Sequence, residues 1–127
     1  MEESPVFENL YQEELYVIPA RTLVIIDRPW VDLTEDEKIL LAKILGSIRL
    51  SAASVQILER NNLTASDLLP LNPKRVISFG VKITPVQKLY EYIPVDGMHI
   101  LVADPLAALD DGRKKNLWLA LKQMFGL

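Results

Sequence analysis

The chain has 127 residues, 50% of them hydrophobic, and its 17 acidic residues against 14 basic ones give a net charge of −3. This length is typical of one domain with a sizeable core, and the charge balance disfavours a protein that holds DNA through phosphate contacts alone. With no cysteine and a single histidine, the sequence excludes disulfides, thiolate metal sites and multi-histidine metal sites within one chain.

Residues 1–13 are predicted to form a polar N-terminal segment, and residues 14–127 a single domain. The N-terminus lacks the pattern of a secretory signal, and no apolar run approaches the roughly twenty residues that cross a bilayer, so a cytoplasmic protein is expected. Residues 15–18 are predicted to form a strand that ends at Pro19. Thr22–Ile26 is apolar without alternation, which is typical of a strand covered on both faces.

A helix is predicted to follow, with Thr34 as its N-cap and Glu37 completing a capping box. Gly46 is expected to weaken this helix without breaking it. The side chains expected to form its buried stripe are Ile39, Leu40, Leu41, Ile44, Leu45 and Ile48.

Further elements are predicted from apolar runs and from the Pro and Gly residues that bound them. Strands are expected at residues 55–58, 75–79 and 99–103, a short helix at 64–69, and a last helix from Asp110 or Asp111. Residues 84–94 fit either a helical turn or a strand, and Asp96-Gly97 signals a tight turn. In the last helix, Trp118 is expected to pack in the core with Leu117, Leu121 and Met124. The alternation of strands and helices predicts a layered α/β domain with a largely parallel sheet.

Ligands of open α/β sheets bind outside the carboxyl ends of the strands. Three such strand ends carry charged residues, a tryptophan or a glycine that could line a ligand site. We call these residues the predicted rim; they are Asp27, Arg28, Trp30, Gly80 and Asp104. If neighbouring strands bring them together, Asp27 and Asp104 form a carboxylate pair that could orient water or, beside Trp30, bind a base. The alternative is that both aspartates cap turns. Trp30 is either a lid over the sheet edge or an anchor for a protein partner.

A basic run, Arg113-Lys114-Lys115, lies in the first turn of the last helix. It is either a contact for nucleic acid or a protein partner or a solvated face. The five glycines form neither G-x-G-x-x-G nor a P-loop, and the single histidine, His99, supports no Ser–His–Asp arrangement. We therefore predict no catalytic residue, no metal and no cofactor.

Residues 14–20 form an apolar segment that ends in Ile18-Pro19-Ala20. This segment resembles the strand that ends in isoleucine-proline-alanine in the psi subunit family of the bacterial clamp loader. Leu33-Thr34 and its helix continue the similarity, as do residues 103–109 and the tryptophan-bearing last helix. The resemblance covers residues 14–59 and 99–125.

The same architecture belongs to the uracil-DNA glycosylase superfamily, and residues 73–80 resemble a proline-basic-strand-glycine segment of those enzymes. Asp104-Pro105-Leu106 occupies the place of their histidine-proline-serine, with Asp104 for the histidine and Leu106 for the serine. The resemblance implies a three-layer α/β/α sandwich around a largely parallel sheet of about four or five strands, without the glycosylase chemistry.

The function implied by this resemblance is that of a non-catalytic adaptor of DNA replication, with clamp-loader subunits or single-stranded-DNA-binding protein as partners. Two alternatives remain open at this stage. One is a divergent glycosylase-like hydrolase in which Asp27 or Asp104 activates water beside a base stacked on Trp30. The other is a small nucleotide-binding module that uses the same rim.

Overall fold

A computed structural model describes residues 22–51 and 54–126. The strands are β1 (Thr22–Ile26), β2 (Gln56–Glu59), β3 (Asn62–Thr64), β4 (Arg75–Phe79), β5 (Lys82–Thr84), β6 (Ile93–Val95) and β7 (Met98–Ala103). The helices are α1 (Glu35–Ser47), α2 (Ala65–Leu68) and α3 (Asp111–Phe125). Short 3₁₀ turns cover Trp30–Asp32, Leu69–Leu71 and Leu106–Ala108.

Five strands form the main sheet in the order β2-β1-β4-β7-β6. All neighbouring pairs are parallel except β6 and β7, so the prediction of a largely parallel sheet is confirmed. The chain places β2 on one side of β1 and then returns to add β4 on the other side. This reversal between β1 and β4 is a topological switch point, where open sheets leave a crevice at the carboxyl ends of the strands.

Both faces of the main sheet are buried, which explains why β1, β4 and β7 are apolar runs without alternation. One face packs against α1 and α3, and the other packs against α2 and a small parallel sheet of β3 and β5. The first cluster includes Val24, Ile77, Leu101, Leu41, Leu45, Leu117 and Leu121. The second includes Leu23, Val76, Ile100, Leu63, Leu68 and Ile83.

Helix α1 begins as predicted, because Thr34 Oγ1 accepts a hydrogen bond from the Glu37 N–H at 3.1 Å and Glu37 Oε1 accepts one from the Thr34 N–H at 2.8 Å. The prediction that Ile39 is buried is wrong, since it is 49% exposed. Ile39 precedes the buried Ile48 by two and a half turns and therefore lies on the opposite side of the helix.

Helix α3 is capped by Asp110, whose carboxylate accepts from the Arg113 N–H at 2.8 Å. Leu117, Leu121 and Met124 are buried as predicted. Trp118 does not pack in the core as expected, because it is 36% exposed. It lies about 100° around the helix from Leu117, at the margin of the face that the sheet covers.

A tight hairpin joins β6 to β7 through Asp96 and Gly97, with φ of 51° and 84°. Two positive φ values in a two-residue loop are the requirement of a type I′ turn, so this predicted turn is confirmed. Pro94 occupies the middle of β6, opposite His99.

The shorter elements differ from the predictions in detail. Asn62, which lies outside the predicted strands, begins β3, and the chain continues past α2 in a 3₁₀ turn that contains Pro70. The ambiguous residues 84–94 contain the end of β5 and the start of β6. The predicted strand at residues 15–18 and the polar segment at 1–13 lie outside the described residues. None of the helices in the described ranges is long and apolar enough to cross a membrane.

Candidate functional site

The residues of the predicted rim lie at one edge of the main sheet, because β1, β4 and β7 run parallel and end there. Asp27 follows β1, Gly80 follows β4 and Asp104 follows β7. However, β4 lies between β1 and β7, so those two strands are about 10 Å apart. The structure therefore does not place Asp27 beside Asp104 as a carboxylate pair, and each of the two has other partners.

At the end of β1, Arg28 forms an ion pair with Glu37 through Nη2 and Oε2, while its Nε lies 3.5 Å from Asp27 Oδ1. Glu37 is only 6% exposed, and its other oxygen accepts the Thr34 N–H. That backbone hydrogen bond, followed by the Arg28 contact, lowers the pKa of the Glu37 carboxyl below its usual value. Glu37, and to a smaller extent Asp27, raises the pKa of the Arg28 guanidinium. The result is an ion pair, charged at neutral pH, that ties the end of β1 to the start of α1.

At the end of β4, Gly80 lies close to the end of β7. Its N–H donates to the Ala103 carbonyl at 2.9 Å, and its φ is 82°. A Cβ added at Gly80 would lie 2.6 Å from Pro105 Cγ. Gly80 is thus needed for packing against Pro105, and its backbone N–H is already bonded within the fold.

At the end of β7, Asp104 Oδ2 accepts a hydrogen bond from the Tyr90 hydroxyl at 2.5 Å and lies 3.2 Å from Arg113 Nε. Arg113 Nη1 also lies 3.0 Å from Asp110 Oδ2 and donates to the Ala108 carbonyl at 3.2 Å. The guanidinium therefore connects the start of α3 to the end of β7. Arg113 is itself 48% exposed but has these internal contacts, and Lys114 and Lys115 are exposed beside it.

Burial, followed by the hydrogen bond to Asp104, raises the pKa of the Tyr90 hydroxyl from 10.0 to about 12. Because the folded state favours the neutral phenol, this stabilisation is present below about pH 10 and is lost as pH rises through about 12. We expect an absorbance titration of phenolate to lose its highest-pH step in Tyr90→Phe. The same variant should lower the free energy of unfolding at pH 8 by about 1 kcal/mol.

The matched control for this titration is Tyr92→Phe, a change on a neighbouring phenol whose ring instead lies 5.5 Å from that of His99. Tyr92→Phe should leave the highest-pH step in place. If Tyr92→Phe removes that step and Tyr90→Phe does not, the hydrogen bond to Asp104 does not control the Tyr90 phenol.

A cavity of about 300 Å³ opens between the segment after β1, the first turns of α1 and the 3₁₀ turn after β7. Its walls are formed by Arg28, Thr34, Asp36, Glu37, Leu40, Leu106 and Ala107. Arg28 is the member of the predicted rim that lines it. Sequence reasoning identified Thr34 and Glu37 as helix caps but not as walls of a cavity, and it gave no signal that Leu40 would face Leu106.

Trp30 lies outside this cavity, in the turn Trp30–Asp32 that joins β1 to α1. The ring is 37% exposed, and Lys38 Nζ lies 5.4 Å from its centroid, a cation–π distance. The next residue, Val31, is 80% exposed. We call these two residues the Trp30–Val31 tip. Of the two interpretations of Trp30, this position favours a partner anchor over a lid.

No protein-family model matches the sequence, and no curated protein or solved structure is significantly similar to the chain. Within residues 22–51 and 54–126, no three His, Asp or Glu side chains are grouped so that they could hold a metal ion. Besides the sequence resemblance, the contacts at the carboxyl edge and the exposed side chains beside it are therefore the features that bear on function.

Proposed function

We propose that the chain is a non-catalytic adaptor of the DNA replication machinery, similar to the psi subunit of the clamp loader. We further propose that it shares the three-layer α/β/α architecture of the uracil-DNA glycosylase superfamily. The resemblance of residues 14–59 and 99–125 supports both proposals. A largely parallel sheet with two buried faces is compatible with such a sandwich.

The observation that carries the adaptor proposal is that the polar groups of the predicted rim are bonded to other side chains of the fold. Asp104 Oδ2 contacts both Tyr90 and Arg113, and Arg28 is held by Glu37. A general base or nucleophile needs a group that faces the substrate with a protonation state suited to proton transfer. Here the same groups hold loops and helix starts in place, which favours a structural role.

The cavity is a poor site for a nucleotide or a DNA phosphate. Its single guanidinium is neutralised by Glu37, and Asp36 adds a second carboxylate to its wall. Asp27 lies against the same guanidinium, so the surroundings carry an excess of negative charge that repels phosphate. Its volume of about 300 Å³ is also at the lower limit for ligand pockets.

The Trp30–Val31 tip has the properties of a protein-binding anchor. Tryptophan is enriched among the residues that dominate binding energy at interfaces, and an exposed valine beside it adds apolar contact area. The tip lies between β1 and the capped start of α1, which are both held by the Arg28–Glu37 pair. A partner would therefore meet a pre-organised surface.

The test measures binding of the purified chain to the clamp-loader complex and to single-stranded-DNA-binding protein from the same organism, by biolayer interferometry. We expect wild-type to bind at least one of them, and Trp30→Ala combined with Val31→Asp to weaken that binding about tenfold or more. Leu71→Asp is the control, because Leu71 is a 41% exposed apolar residue in the turn after α2. Absence of binding by wild-type, or release of uracil from single-stranded DNA, would contradict the proposal.

A further inference from the structure

The outward side of α3 combines lysines with apolar side chains. Trp118 is 36% exposed and Leu119 is 48% exposed. Lys114 and Lys115 lie one turn before Trp118, Lys122 lies one turn after it, and all three are exposed. We call these five residues the α3 basic face.

The positive charge of this face has no internal partner in the described ranges. Arg113 is paired with Asp104 and Asp110, whereas none of the ion pairs formed within those ranges includes a lysine of the face. Lys122 lies seven and eight positions after Lys115 and Lys114, so the three ammonium groups are spread along one side of the helix. The nine residues from 114 to 122 carry no acidic side chain, although the net charge of the whole chain is −3. A negatively charged partner would supply the counter-charges that this stretch lacks.

We propose that the α3 basic face binds a short acidic segment of a partner protein that also carries a large apolar side chain. The lysines attract the carboxylates, and Trp118 and Leu119 supply the apolar contact area. The inference depends on the proposed function in one respect, namely that an adaptor needs a second binding surface besides the Trp30–Val31 tip.

A peptide fits this face better than a nucleic acid strand. The lysines span about 12 Å along the helix axis, which is a short track for a phosphate backbone. Single-stranded nucleic acids are bound on successive aromatic side chains, whereas this face has one ring and a leucine that is nearly half exposed. The negative charge of the whole chain also disfavours a long polyanion.

The test uses a fluorescein-labelled dodecapeptide of alternating aspartate with leucine and phenylalanine, followed by fluorescence anisotropy with the full chain. We expect saturable binding that weakens severalfold when salt is raised. Trp118→Ala, and Lys115→Glu combined with Lys122→Glu, should each weaken binding about fivefold or more. The matched control is Lys43→Glu combined with Lys82→Glu, an equal charge change at two exposed lysines on α1 and β5.

The inference would be overturned by absence of binding, by an equal loss in the control pair, or by tighter binding of an oligothymidylate of the same length. Equal binding of a peptide with serine in place of leucine and phenylalanine would also overturn it, by removing the role of Trp118 and Leu119. The variant at the Trp30–Val31 tip should bind the peptide like wild-type, so this result and the clamp-loader result can fail independently.

Discussion

Gly80→Ala is expected to lower the free energy of unfolding by about 3 kcal/mol. Gly80 has a φ of 82°, a conformation that costs about 1 kcal/mol or more for a residue with a Cβ. The new methyl group would also lie 2.6 Å from Pro105 Cγ and 3.1 Å from Pro105 Cα. Pro105 is the second residue after β7 and cannot retreat without moving the strand end, so the overlap adds about 1–3 kcal/mol. Urea denaturation followed by far-UV circular dichroism measures the loss.

Substitutions at two other glycines separate the cost of the backbone conformation at Gly80 from the cost of the overlap with Pro105. Gly97 has a φ of 84° with nothing within 4 Å of an added Cβ, so Gly97→Ala should cost only the conformational strain, about 1 kcal/mol. Gly46 lies within α1 with open space around it, and Gly46→Ala should stabilise the chain by about 0.5–1 kcal/mol. If Gly80→Ala costs no more than Gly97→Ala, the ends of β4 and β7 are not held together as tightly as the structure indicates.

Glu37→Ala is expected to lower the free energy of unfolding at neutral pH by about 2 kcal/mol. The change removes the acceptor of the Thr34 N–H at the start of α1 and leaves Arg28 without its nearest carboxylate. Glu37→Gln retains the shape and an acceptor oxygen, so it should cost less. The loss of stability in Glu37→Gln relative to wild-type measures what the carboxylate charge adds to the cap, and the further loss in Glu37→Ala measures what the acceptor and its packing add.

The Glu37 carboxyl also makes the stability of the chain depend on pH. Its pKa is lower in the folded state than the ordinary 4.5, so its contribution is present above that ordinary value and is lost as pH falls through the folded pKa. Unfolding measured from about pH 7 to about pH 3 should therefore show a shallower loss of stability in Glu37→Gln than in wild-type. Glu35→Gln, which removes one carboxylate at an exposed position in the same turn, is the control for the loss of a negative charge alone. Identical slopes for both variants would contradict the assignment.

The parts of the fold that the sequence predicts correctly are those with local signals. The apolar runs of β1, β4 and β7 follow from burial on both faces, and the start of α1 follows from Thr34 and Glu37. Strands β3 and β5 have only three residues each, which is too short for a hydrophobic pattern to be recognised in the sequence. They also pair with each other across about twenty positions, and such a pairing leaves no local signal. Ile39 is apolar but lies on the outward side of α1, so its apolarity alone does not indicate burial.

For the candidate site, the sequence identified which strand ends would meet but not which side chains would pair. Asp27 and Asp104 would be close only if β1 and β7 were neighbours, and the order of the sheet places β4 between them. The Tyr90 partner of Asp104 comes from the segment whose structure was ambiguous in the sequence. Pairings of this kind depend on tertiary arrangement, for which a single sequence carries no local signal.

Pro94 determines how the main sheet ends at β6. Opposite it, His99 donates its N–H to the Lys74 carbonyl on the side of β4, so the backbone of Pro94 points away from β7 toward the outer edge. Proline has no N–H, and Ile93 and Val95 direct theirs inward, so the outer side of β6 presents no hydrogen-bond donor to a further strand. At this edge the backbone of β6 offers a further strand only the Pro94 carbonyl, which disfavours strand addition and edge-to-edge aggregation. A partner that approaches from this side is therefore recognised mainly by side chains, because β6 has no N–H to donate to a sixth strand.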